Sequence, residues 1–235
     1  VSALEEIHGN LLRASSKEDA ANLQRYFKTG PGEYGEGDKF IGIRVGPLRA
    51  LANKFRDLSL GDVEQLLQSV FHEERMLALL ILVNQYQRGD TKNHRKVYDL
   101  YLENIQHINN WDLVDVSAPR IVGAYLSERS RKPLYRLAKS RHLWSRRVAI
   151  MATLWFIRSD DFSDTFAIAD VLMEDDHDLI HKAVGWMLRE VGNRDQKSEE
   201  QFLKKRYKKM PRTMLRYAIE KFPKTKRRKY LDGTI

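Results

Sequence analysis

In the stretch NNWDLVDVSAPRIVGAYL (109–126), Asn110 is suited to cap a helix, and a helix starting there sets Trp111 and Asp115 four residues apart on one face. A carboxylate and an indole then point the same way, and an aromatic face can meet a base or a cationic group. The plainer alternative is a core Trp beside an Asp that favours the positive end of a helix. Pro119 removes the N–H that would bond the Asp115 carbonyl, so the helix is expected to bend beside the pair.

A second stretch, HKAVGWMLREVG (181–192), places Lys182, Trp186 and Arg189 on one helical face. Here an aromatic surface is bracketed by cations that can seek phosphate. Gly185 next to Trp186 lets a backbone or a ligand come close. Between the two stretches, WSRRVAI starts another helix with Arg146 and Arg147 near its N-terminus, where backbone N–H groups also welcome phosphate. Basic and aromatic side chains interleaved in this way are what a nucleic-acid groove needs. His177 and His181 have a spacing compatible with metal but no third ligand, so neither a metal nor a cofactor is expected. His72, His94, His107 and His142 show no partner by spacing.

These residues need rigid helices to position them. Segments 73–86 and 146–157 are apolar on most sides and read as central helices. Stretches near 62–71, 92–107, 131–139, 162–173 and 198–208 repeat apolar residues every three or four positions and read as amphipathic helices around them. Helix starts near Arg75, Trp111, Arg146, Ile180 and Arg212 recur in the low-to-mid thirties, close to the ~34–47 residues of stacked helix pairs. The expected fold is all-α: a solenoid of stacked antiparallel helix pairs forming a single domain over 1–235, with a concave basic face. Residues 29–47 hold Gly30, Gly32, Gly35, Gly37, Gly42 and Gly46 and are expected to form a loop, followed by a helix from about Pro47. That loop has neither the lysine of a P-loop nor the spacing of a dinucleotide fingerprint.

Composition narrows the function class. Lys and Arg number 41 against 32 Asp and Glu, a net charge of +9 that favours a polyanionic partner. The absence of cysteine excludes disulfides, thiolate nucleophiles and cysteine-ligated zinc. No apolar run approaches the ~20 residues of a membrane span, and the acidic start is unlike a signal peptide. A cytoplasmic monomer, nucleoid-associated if bacterial, without a membrane partner is the expectation. The run KTKRRKY (224–230) is expected to be a basic tail over 224–235, either solvated or clamping DNA.

Together the strings QRYFKTG, KFIGIRVGPLR, NWDLVDVSAP, SRRVAIM and HKAVGWMLRE make most of this chain resemble the AlkD-type DNA alkylation-repair glycosylases, built of HEAT-like repeats. The resemblance implies that Asp115 is the catalytic carboxylate, that Trp111 and Trp186, with Tyr26, are the aromatic groups at the lesion, and that Arg147 contacts the DNA backbone. Arg146, Lys182 and Arg189 join it as expected DNA contacts. The implied substrate is duplex DNA carrying cationic N3- or N7-alkylated purines, whose bases are excised without entering a deep pocket. One departure is the acidic run DDHDLI (175–180), expected to weaken DNA contact there. The alternatives are a noncatalytic helical-repeat scaffold that binds nucleic acid or protein, and an RNA-binding or RNA-processing repeat protein.

Overall fold

Side-chain caps punctuate the chain. Ser2, Ser16, Ser59 and Asp90 each accept a hydrogen bond from the backbone N–H three residues on, starting helices α1 (Ala3–Ala14), α2 (Lys17–Tyr26), α4 (Leu60–Leu67) and α6 (Thr91–Glu103). Helix α3 (Val45–Lys54) lies between the second and third of these, and α5 (His72–Arg88) before the last. Helix α7 (Trp111–Ala118) follows. The coordinates, a computed structural model, describe residues 2–235. Extended backbone pairs only once among these residues, at the isolated bridge of Lys39 and Phe71.

The chain groups into two compact units, one up to Ser117 and the other from Ala118. In the first, α5 packs against α3, α4 and α6. Leu77, Leu79, Ile81 and Leu82 are fully buried, as expected for a helix apolar on nearly every side. The helix after the glycine-rich loop begins at Val45, two residues before Pro47. Pro47 then lies in the first turn, where its missing N–H costs no helical bond.

In the second unit Pro119–Gly123 form a π-helical turn, the local consequence of proline in a helical run. Then come α8 (Ala124–Leu126), α9 (Lys132–Ala138), α10 (Leu143–Ala152), α11 (Leu154–Ile157), α12 (Ser163–Val171), α13 (Asp178–Arg194), α14 (Gln196–Lys204) and α15 (Arg212–Ala218). Helix α10 packs on α9, α12 and α13, and α13 on α14 and α15. Helices α5, α7, α10, α13 and α15 start within three residues of the positions expected from the repeat spacing. The basic run is no tail: Lys224–Asp232 form α16, pinned by Tyr230, which is 1% exposed. One large aromatic anchor holds down a run of charge that would otherwise stay solvated.

Gly185 marks the closest approach in this unit. A Cβ there would lie 2.4 Å from the Met214 carbonyl oxygen and 2.5 Å from the Tyr217 Cβ, so the approaching group is the backbone of α15. Alanine improves helix propensity by about 1 kcal/mol. It also forces the backbone of α15 away, and overpacking of this kind costs about 1–3 kcal/mol. Gly185→Ala should therefore lower the melting temperature by a few degrees. A melting temperature equal to or above that of the parent chain would contradict the contact.

Candidate active site

The site in the first unit is built from the start of α5 upward. His72, Glu73 and Arg75 occupy one turn and are all buried, an arrangement that needs partners to offset desolvation. The Glu73 carboxylate accepts hydrogen bonds from three consecutive backbone N–H groups, of Ile41, Gly42 and Ile43, with the shortest, from Gly42, at 2.8 Å. Gly42 has φ +85°, and a Cβ there would sit 1.9 Å from the Ser16 carbonyl oxygen. The glycine-rich loop is thus fixed against both α2 and α5, through a residue that only glycine can supply.

His72 bridges two carboxylates. Its Nδ1 lies 3.2 Å from Asp38 Oδ2 and its Nε2 lies 2.8 Å from Asp112 Oδ2. Burial works against a charged ring, but the charges of Asp112 and Asp38 and the bonds to them outweigh it, and the pKa rises to about 9. His72 is therefore an imidazolium at neutral pH, donating from both nitrogens. Asp38 also accepts from Arg75 at 2.6 Å, Asn109 at 3.2 Å and Asn110 at 3.3 Å. Burial alone would raise its pKa; the bond to His72 and the charge of Arg75 bring it below the usual carboxylate range.

This network fixes the start of α7. The Asn110 side chain accepts from the Trp111 N–H at 2.9 Å while its amide donates to Asp38, and Asp112 is tied to His72. The Trp111 ring stacks on Phe27, with centroids 5.3 Å apart, and meets the edge of Tyr26 at 6.0 Å. Phe27 in turn stacks on Phe40 at 5.1 Å, and Phe40 on His72 at 4.5 Å. Trp111 is half-buried in this stack and Tyr26 stands 62% exposed beside it. Asp115, one turn beyond Trp111, is half-buried, and its charge reinforces the effect of burial in raising the pKa of Tyr101. Of the residues expected at the site, the first unit thus joins Tyr26 to Trp111 and sets Asp115 one turn along the same helix.

The second unit holds Arg146, Arg147, Lys182, Trp186 and Arg189, and most of their polar groups are already engaged. Arg146 Nε donates to Asp175 at 2.5 Å and its Nη1 donates to the carbonyls of Ser140 and Arg141. Lys182 pairs with Asp178 at 2.8 Å, and Arg189 pairs with Glu220. Arg147, 4% exposed, donates to the Leu179 carbonyl at 2.6 Å. Trp186 is half-buried, with its indole N–H donated to Glu190 at 2.8 Å. The acidic run thus acts from within, holding Arg146 and Lys182. His177 caps α13 by accepting from the Leu179 N–H, and His181 bonds the Asp175 carbonyl.

Sequence spacing missed Asp38, His72, Arg75 and Asp112, which are dispersed over 75 positions and meet only in the folded unit. The one available signal was HEER (72–75), four ionisable residues at the head of an otherwise apolar helix.

A family model described as DNA alkylation repair enzyme matches residues 7–222. A solved structure described as a predicted DNA alkylation repair enzyme from Enterococcus faecalis is similar in fold, with a TM-score of 0.68 at 18% identity over 89% of this chain and 97% of that one. No curated protein matches the chain.

Proposed function

Because the chain belongs to the DNA alkylation repair enzyme family, we propose that it is a DNA glycosylase that hydrolyses the N-glycosidic bond of cationic N3- or N7-alkylated purines in duplex DNA. The observation that carries this reading is Asp115, a carboxylate one turn from the stacked indole of Trp111, on a helix whose first residues are locked by Asp38 and His72. Preorganisation of this kind lets a charge act on a transition state without reorganisation at the moment of reaction.

The chemistry fits a cationic leaving group. An alkylated purine departs with the electron pair of the C1′–N9 bond, which neutralises its own charge, so no acid is needed to protonate it. Positive charge then develops on the sugar, where Asp115 stabilises it. Water supplies the oxygen that bonds to C1′, and its proton passes to the carboxylate or to solvent. Trp111 and Tyr26 offer aromatic faces to a cationic base, an attraction of about 0.5–2 kcal/mol that a neutral base does not receive. The resemblance assigns Trp186 a second such face and assigns Arg147 a phosphate contact; Arg146, Lys182 and Arg189 contribute charge to the DNA side in this reading.

The test is release of 7-methylguanine or 3-methyladenine from methylated duplex DNA by the purified chain. Release in amounts that scale with enzyme supports the proposal. No release, with salt-sensitive duplex binding intact, would replace it with a noncatalytic DNA-binding scaffold.

A further inference from the structure

The positive charge is not spread along the chain. Residues 204–232 contain thirteen Lys and Arg against two Asp and Glu, a net +11 where the whole chain carries +9, so residues 1–203 together carry −2. The excess of positive charge therefore lies at the C-terminal end of the second unit, outside the residues assigned to the lesion.

The structure shows how this charge is held. Tyr230 packs edge-on against Tyr207, with centroids 5.4 Å apart, and lies 5.7 Å from Phe222. The Tyr207 hydroxyl donates to the carbonyl of Ile235 at 3.1 Å, and Arg212 donates to that of Leu231 at 2.6 Å. These contacts bring the turn after α14, which carries Lys205, Lys208 and Lys209, alongside α16, which carries Lys224, Arg228 and Lys229. All six side chains are exposed. Two other cations are structural: Arg206 pairs with Asp170 and covers Phe202, and Lys226 pairs with Glu200 and covers Phe222. Among the described residues, Lys205, Lys209, Lys224 and Lys229 have no carboxylate partner. No acidic residue in the first turn of α16 and no side-chain cap relieves its cations.

A run of like charge normally stays disordered. Here it is folded and pinned, presenting a fixed two-element array of cations with few internal counter-charges. We propose that the turn 205–209 and helix α16 form a phosphate-docking surface for the backbone of duplex DNA, which holds the substrate independently of sequence or lesion. The surface rests on the reading of this chain as a DNA enzyme, yet binding to undamaged duplex tests it without reference to base release.

The experiment measures the affinity of the full chain for an undamaged duplex over a range of salt concentrations. The variant Lys205→Gln, Lys209→Gln, Lys224→Gln and Lys229→Gln is compared with a control of equal charge loss at exposed sites elsewhere, Lys17→Gln, Lys92→Gln, Lys96→Gln and Lys132→Gln. Circular dichroism checks that both remain helical. Each lost phosphate contact lowers the slope of log affinity against log salt by about 0.9, so the first variant should lose about 2 or more and the control less than about 1. An unchanged slope, or an equal loss in both variants, overturns the proposal. So does unchanged duplex binding with lost binding to phosphatidylserine vesicles, which would assign the surface to a membrane. If the slope falls but no base is ever released, the docking surface stands and the glycosylase reading falls. If base is released and the slope does not move, the reverse holds.

Discussion

Asp115→Asn should slow base release by about two to three orders of magnitude while leaving duplex binding within a few-fold of the parent chain. The substitution keeps the size and planarity of the side chain and removes only its charge. In the ground state the alkylated base carries the positive charge; in the transition state that charge moves to the sugar. A carboxylate that acts on the second state more than the first affects the rate more than the binding. Asp115 is half-buried, which strengthens its field compared with full exposure to water. Single-turnover release from methylated duplex, together with affinity for the same duplex, separates the two effects. Equal losses in rate and affinity would mean that Asp115 supports the fold of α7 and not the reaction.

The second large effect concerns His72. His72→Gln should cost about 3 kcal/mol at pH 6.5, since a shift from 6.5 to about 9 corresponds to roughly 1.4 kcal/mol per unit. The folded-state pKa lies above the unfolded one, so the contribution is fully present below about pH 6.5 and is lost as pH rises through about 9. The stabilities of the parent and of His72→Gln should therefore converge toward alkaline pH. Glutamine donates to only one carboxylate at a time, so Asp38 or Asp112 loses a partner. Chemical denaturation at several pH values measures the difference, and a gap that stays constant from pH 6 to pH 10 would refute the imidazolium.

Glu199 overlaps this window and acts in the same direction. Burial, reinforced by the charge of Glu200, raises its pKa to about 8 despite opposing charges on Arg189 and Lys226. Its folded form thus holds a proton that the unfolded form releases near 4.5, and stability falls as pH climbs from there to about 8. Repeating the His72 comparison in a Glu199→Gln background isolates the histidine. Because Asp112 is a ligand of His72 at the start of the helix bearing Asp115, His72→Gln should also reduce the rate of base release.

Much of the scaffold was legible from local rules. The apolar periodicity located the long helices, and Asn110 marked the start of α7, because capping and amphipathicity depend on residues within a few positions of one another. That Trp111 and Asp115 share one helix was legible for the same reason, since a four-residue spacing is a statement about one helix. That the basic run at 224–230 folds into a helix was not legible, because its stability comes from Tyr207 and Phe222, and local charge density carries no sign of that packing.

By itself the sequence determined the all-α class, the starts of the main helices and the place of Trp111 and Asp115 one turn apart on one of them. Only tertiary structure decided how those groups are held. It brought His72 between Asp38 and Asp112 across separations of 34 and 40 residues, and engaged Arg146 and Lys182 with the acidic run 175–178. The physical reason lies in range. Helix formation follows from hydrogen bonds between residues four apart, whereas burying a charge succeeds only when distant groups converge to replace the water it has lost.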